Sequence, residues 1–256
     1  MRPIPDGHSR LSRPGTTVVV RDELVEPVRA AMAGGTLYDW AASHPERTLL
    51  TGRLPVYAAP LPHVGHRVVV RRNARGGLLA SWRRDRFIRS RAPRELENAL
   101  ILAALGVPTP PVLAYAHYRV NAVERCADVV TVQLPPGLDF GAALLAGGAP
   151  EEQQARWHAV SALLRMLAEQ GVWHQDLNVK NIYLCQQAAN SGQRTGQDVG
   201  AYLLDVDRVK FVDPGRVVAR VNSARLLRSL RKLEIARGSR LTAAELTMLD
   251  IAKDMS

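Results

Sequence analysis

The chain changes texture at Pro135-Pro136-Gly137, and that change limits the folds open to it. Before this point the apolar runs are short, valine-rich and punctuated by glycine and proline: TTVVV, TLLTGR, PVYAAPL, HRVVVRR, VLAYAHYRV and DVVTVQL. Such runs read as strands, and their close spacing makes antiparallel neighbours. Two helices interrupt them. DELVEPVRAAM follows the first strand with Asp22 as its N-cap, and RELENALILAAL begins after Pro93 and stops at Gly106. After the change, GLDFGAALLAG reads as a helix, and EEQQARWHAVSALLRMLAEQ as a longer one with Ala155, Val160, Leu163, Leu164 and Leu167 on one face and Gly171 as its stop. NIYLC and AYLLDVDRV form a hairpin, and the chain from Asn222 onward is helical, with Thr242-Ala-Ala-Glu245 as a capping box. The expected class is therefore α+β, strands first and helices second. Residues 1–47 are expected as an extension with a short strand and helix, their first fifteen irregular; 48–134 form a sheet-rich lobe and 135–256 a helical one, with Pro135-Pro136-Gly137 as a hinge.

Composition narrows the functional classes. With 256 residues, 46% of them apolar, the chain can bury a sizeable core. Lysine and arginine exceed aspartate and glutamate by 34 − 24 = 10, which favours nucleic acid, an anionic membrane surface or phosphorylated substrates. A skewed genomic base composition produces the same arginine excess. Cys126 and Cys185 form no CxxC pair, so neither zinc nor a disulfide framework is expected and a reducing compartment fits. MRPIPDGHSRLSRPG holds no apolar signal core, and no stretch approaches the roughly 18 apolar residues of a membrane span. The expected location is cytosolic.

One polar stretch stands out between a helix end and a strand start: His174-Gln175-Asp176-Leu177-Asn178-Val179-Lys180-Asn181. It is similar to the kinase catalytic-loop pattern H-x-D-L-x-x-x-N at every fixed position. In that pattern the aspartate meets the hydroxyl to be phosphorylated and the asparagine oxygen reaches a metal on the nucleotide phosphates. Downstream, Tyr202-Leu-Leu-Asp205 ends an apolar strand in a carboxylate, and a hairpin would return Asp205 to Asn181 as a hard-oxygen pair suited to Mg²⁺. Asp207 has the same strand parity as Asp205 and stays a rival. His174 reads as scaffold. Asn178 and Lys180 either touch the transferred group or are merely solvated.

Taken together, the strands, the hinge, HxDLxxxN and the strand-end aspartate resemble a two-lobed protein-kinase-like fold, and within it the lipopolysaccharide kinase family, its 3-deoxy-D-manno-octulosonic acid (Kdo) kinase branch above all. Gly52-Arg-Leu-Pro-Val-Tyr57, Val70-Arg-Arg-Asn-Ala-Arg-Gly-Gly-Leu78, Arg94-Glu95-Leu96, Leu105-Gly-Val-Pro-Thr-Pro110 and Asn222 to Leu233 carry the resemblance, from about residue 36 to 235. It implies ATP and Mg²⁺ as cofactors, Asp176 as the catalytic base, Asn181 and Asp205 as metal ligands, and Arg71 on the nucleotide phosphates where most kinases keep lysine. Glu95 is implied as the ion-pair partner of Arg71, with Glu97 its rival, and Gly52 as part of the phosphate turn, although that turn lacks the full G-x-G-x-x-G. The basic tract RGGLLASWRRDRFIRSR would grip an anionic, lipid-linked or small sugar acceptor.

The implied activity is phosphoryl transfer to a sugar hydroxyl, Kdo on a lipid A precursor, by a monomer without a nucleic-acid partner. The helix from Asn222 sets Arg225, Arg228 and Lys232 on a face that an anionic inner-membrane surface could meet from the cytoplasmic side. Two rivals remain: a small-molecule phosphotransferase of the aminoglycoside or choline type, and a non-catalytic pseudokinase on an anionic surface.

Overall fold

The computed structural model describes residues 3–50, 54–73, 90–122, 124–186, 199–237 and 241–253. Gly52 and nearly all of the basic tract RGGLLASWRRDRFIRSR lie outside the described residues. The chain folds as two compact units, Met1–Leu100 with Pro111–Gln133, and Ile101–Pro110 with Leu134–Ser256.

In the first unit seven strands form one antiparallel sheet. In chain order they are β1 (His8–Arg13), β2 (Thr16–Arg21), β3 (Thr48–Leu50), β4 (Val56–Pro60), β5 (Arg67–Arg72), β6 (Val112–Arg119) and β7 (Arg125–Val132), and the order across the sheet is β1-β2-β6-β7-β5-β4-β3. The strand at His8–Arg13 corrects the expectation that the first fifteen residues are irregular. HSRLSR has no apolar alternation because it sits at the sheet edge, where polar and basic residues are tolerated, and only Leu11 packs on the core. Asp22 also departs from its expected role. It opens a 3-10 turn, and its carboxylate accepts from Ser9 Oγ at 2.6 Å instead of capping a helix.

Helices α1 (Val25–Ala31) and α2 (Leu37–Ser43) follow. Val28, Met32, Leu37 and Ala41 pack with Val18, Val20, Val68, Val70, Ala116 and Val130 into one cluster, which takes every second residue of the strands. Thr36 and Asp39 close α2 with a reciprocal capping box.

Beneath α2 lies a buried ion pair. Asp128, wholly buried, accepts from Arg72 Nε at 3.0 Å and from the Tyr38 backbone N–H at 3.0 Å, and the Tyr118 hydroxyl bonds it too. Arg72 also donates to Thr36 Oγ1 at 2.9 Å and stacks 4.5 Å from the Tyr38 ring centroid. Burial pushes the Asp128 carboxyl up, and the Arg72 guanidinium works against it.

The second unit carries α4 (Phe140–Ala146), α5 (Pro150–Glu169), α6 (Arg216–Arg237) and α7 (Ala243–Met248). Its strands are β8 (Gly137–Asp139), β9 (Val172–His174), β10 (Ile182–Gln186), β11 (Val199–Leu203) and β12 (Val209–Phe211), in sheets β11-β10-β8 and β12-β9. The stretch expected as one helix from Gly137 splits: Gly137–Asp139 is a strand, and the Asp139 side chain then caps α4 by accepting from Ala142 N. A Cβ on Gly137 would stand 2.0 Å from the Leu184 carbonyl oxygen, so only glycine lets β8 pair with β10 there. The α5 stop at Gly171, φ +64°, the β10–β11 hairpin and the Thr242–Glu245 capping box are all present.

His117 on β6 supplies a pH-dependent term. Burial, reinforced by Arg125, pushes its pKa down to about 4, below the 6.5 of an unfolded histidine. The unfolded chain therefore binds the extra proton first as pH falls, so stability from this site is full above 6.5 and drains away between 6.5 and about 4. Urea unfolding at pH 7, 5.5 and 4.5 should show that loss, and His117→Gln should flatten it.

Candidate active site

The polar loop after β9 is fastened through His174. This residue is completely buried. The Asp176 backbone N–H donates to its Nδ1 at 3.2 Å, and its Nε2 lies 3.2 Å from the Leu204 carbonyl oxygen. An acceptor at Nδ1 and a donor at Nε2 define the neutral tautomer. Burial holds the imidazole pKa down, while the Leu204 carbonyl and the carboxylates of Asp205, Asp176 and Asp207 work against it. One ring thereby joins the backbone of Asp176 to that of Leu204, next to Asp205.

Helix α6 holds the same loop from behind. Asn222, buried at 0% exposure, accepts from the His174 backbone N–H at 3.2 Å and donates to the Val172 carbonyl at 2.8 Å. Seven residues on, Ser229 Oγ accepts from the Val179 N–H at 3.2 Å. Sequence reasoning missed both contacts, reading from this helix only its basic face. The available signal was two polar residues two turns apart on the face that buries Leu226 and Leu230.

Inside the loop, Val179–Asn181 is a 3-10 turn. Asn178 caps it, accepting from Lys180 N at 3.0 Å and donating to the Asp176 carbonyl at 2.8 Å. Its place is thus structural, while Lys180 is exposed. Asn181 donates from Nδ2 to the same Asp176 carbonyl at 2.9 Å, which fixes its amide plane. The Asn181 carbonyl also receives the Leu204 N–H at 2.8 Å, so the loop and the strand-end segment are stitched directly.

Strand parity does not govern Asp205 and Asp207, because β11 ends at Leu203. Asp205 sits in the left-handed region, φ 57° and ψ 47°, with its side chain exposed, whereas Asp207 is buried in the following 3-10 turn. A non-glycine residue in that region carries backbone strain, a feature that concentrates at functional sites. Among the described residues, the Asp176 carboxylate, the Asn181 Oδ1 and the Asp205 carboxylate take no hydrogen bond, although the backbone N–H groups of Asp176, Asn181 and Leu204 are bonded. Such a set of hard oxygens fits Mg²⁺, which binds through one or two protein oxygens and completes its shell with water and phosphate.

The other expected pair is in the first unit. Arg71 Nη2 forms an ion pair with Glu95 Oε1, on α3 (Ala92–Ala104), and Arg71 Nη1 donates to Asn73 Oδ1 at 3.3 Å. Glu95 is buried, and it, not its rival Glu97, meets Arg71.

Comparison with known proteins gives this arrangement a lineage. The model described as the lipopolysaccharide kinase (Kdo/WaaP) family matches residues 56–250. The chain belongs to this family. Similar family members include a 3-deoxy-D-manno-octulosonic acid kinase of Xylella fastidiosa, 30% identical over 64% of this chain and 62% of its own length. Another is that of Mannheimia succiniciproducens, 31% identical over 66% and 67%. The chain thus spans less than two thirds of the Xylella protein. Among solved structures, WaaP in complex with acyl carrier protein aligns at TM-score 0.52 and 16% identity, covering 91% of this chain and 86% of that one. The Rio2 kinase of Chaetomium thermophilum, in an ADP/Mg²⁺-phosphoaspartate complex, aligns at 0.51 and 14%, covering 97% and 76%. The fold is protein-kinase-like.

Asn222→Ala should leave the His174 N–H and the Val172 carbonyl buried without partners, at a cost of about 1–3 kcal/mol. Chemical denaturation would read that loss, and the hydrogen exchange of the Asp176 amide should rise with it. An unchanged midpoint would mean α6 does not hold the loop.

Proposed function

We propose that the chain is an ATP-dependent kinase that transfers a γ-phosphoryl group to a sugar hydroxyl, that of Kdo on a lipid A precursor in lipopolysaccharide core assembly. The observation that carries this reading is the trio of oxygens on Asp176, Asn181 and Asp205 that take no hydrogen bond among the described residues, on a backbone tied at Asp176, Asn181 and Leu204. Family membership supplies the reaction class. Asp176 orients the acceptor hydroxyl and takes its proton. Asn181 and Asp205 would hold Mg²⁺, which would neutralise charge on the nucleotide phosphates. Arg71, kept in place by Glu95, offers its guanidinium fork to those phosphates, a geometry lysine does not reproduce. Catalysis by such a site rests on alignment and preorganised charge.

Purified protein with Mg-ATP and Kdo-lipid A should yield phosphorylated lipid by mass spectrometry. Asp176→Ala is expected to lower the rate by about 10²–10⁴-fold, and Asp205→Ala to lower it at fixed Mg²⁺ with retained folding. Absence of product beside an active control kinase would remove the substrate assignment. Full activity in both variants would remove the site assignment.

We further propose that α6 meets the cytoplasmic face of an anionic membrane. No described helix is long and apolar enough to cross one. The outward stripe of α6 carries Arg220, Arg228, Arg231 and Lys232 between exposed Val217 and Ile235, and the acid in this span, Glu234, is half-buried and accepts from the Leu241 N–H. Arg228 and Lys232 of the face expected from sequence belong to it, whereas Arg225 is half-buried. Flotation with phosphatidylglycerol vesicles should recover the protein, and glutamine at Arg220, Arg228 and Arg231 together should release it. Equal recovery of both proteins would dismiss this surface.

A further inference from the structure

The end of the first sheet where β1 turns into β2 and β6 into β7 gathers positive charge without visible compensation. Arg119 and Arg125 are direct cross-strand partners in the β6–β7 register, and like charges in that relation repel. On the same face, Ser12 of β1 pairs in register with Thr17, which in turn pairs with His117 on β6, two residues before Arg119. The Arg119 backbone N–H donates to the Gly15 carbonyl at 2.7 Å and pins the β1–β2 turn against β6. These constraints bring Arg119 and Arg125 together with Ser12, Thr17 and His117 of the same face around one recess of about 140 Å³.

Neither Arg119 nor Arg125 has an ion-pair partner among the described residues. The adjacent carboxylate, Glu124, is engaged within its own loop, where Oε2 accepts from Asn121 Nδ2 at 2.8 Å. His117, pushed down to about 4 by burial and Arg125, is neutral at pH 7, so the arginines alone supply the charge. A cross-strand arginine pair and two hydroxyl-bearing side chains, Ser12 and Thr17, form a donor-rich concavity. Guanidinium forks match the oxygens of a phosphate more closely than those of a halide.

We propose that this recess is an anion-binding site for a phosphate monoester group, held by Arg119 and Arg125. It lies on β1, β2, β6 and β7 and uses none of Asp176, Asn181, Asp205 or Arg71. Occupancy relieves the Arg119–Arg125 repulsion, so ligand binding and sheet stability are linked.

The test is thermal unfolding at low ionic strength with increasing inorganic phosphate, in wild type, Arg119→Gln and Arg125→Gln, with sodium chloride matched for ionic strength. Wild type should show a saturable rise in Tm beyond that in chloride. Each variant should bind about tenfold more weakly or worse. Without ligand, each variant should melt at or above the wild-type temperature, because the repulsive pair is gone. Phosphate binding at the nucleotide site contributes equally in all three proteins, so the difference between them reports the recess. A second arm uses phosphatidylcholine vesicles with and without phosphatidic acid. Recovery that depends on phosphatidic acid and on both arginines identifies a lipid-borne phosphate, and a response to free phosphate alone identifies a soluble one. Equal rises in all three proteins, or a wild-type rise reproduced by chloride, together with vesicle recovery independent of Arg119 and Arg125, would overturn the proposal. Should either glutamine variant fail to fold, Arg119→Lys and Arg125→Lys replace them, keeping charge but losing the fork, and a weakened phosphate response is again the expected result.

Discussion

A neutral, buried imidazole governs the geometry of the second unit. The His174 ring receives the Asp176 N–H on one side and bonds the Leu204 carbonyl on the other, while Asn222 grips its backbone. If the ring were protonated, Nδ1 would become a donor facing another donor, and the bond that sets the Asp176 backbone would be lost. Burial opposes that protonation. The segment before Asp205 is similarly secured, by Leu204 N–H on the Asn181 carbonyl. With the backbone tied at these points, the side-chain oxygens of Asp176, Asn181 and Asp205 take no hydrogen bond from the described residues.

The first unit solves its ordering problem with charge. Asp128 and Arg72 are costly to remove from water, and a bare ion pair would recover that cost poorly. Here the carboxylate gains two further donors, from Tyr38 and Tyr118, and the guanidinium gains Thr36 Oγ1 and the Tyr38 ring. The pair thereby fixes where α2 starts on the sheet. Truncating either member alone would strand the other charge in a dry interior, which is the more damaging change.

Much of this was legible in the sequence because the relevant signals are local. The HxDLxxxN spacing, the β10–β11 hairpin, the Gly171 stop and the Thr242–Glu245 box each depend on residues close in the chain, and all four are present in the structure. The Arg71–Glu95 pairing was legible through family resemblance, although sequence left Glu97 open. What stayed hidden depends on distant partners. β1 has no hydrophobic alternation because its edge position asks for none, and Asp128 looks like a solvated strand residue until Arg72 is found beside it. Asn222 and Ser229 were hidden among the leucines of α6, whose pattern announces burial but not hydrogen bonding. The left-handed backbone at Asp205 is one that aspartate adopts more readily than most residues, but nothing in the sequence says that this aspartate adopts it.

Consecutive arginines on β5 have one more consequence. The pleat sends Arg71 to Glu95 on α3 and Arg72 to Asp128 beneath α2, so the two faces of a single strand are each indexed by an acid from a different element. A one-residue slip of β5 would reverse its faces, turning Val68 and Val70 away from the cluster they fill and parting both arginines from their acids. Misaligned pairings would therefore lose apolar contacts and two ion pairs at once. Adjacent like charges, which look redundant in the sequence, make this strand self-registering during folding.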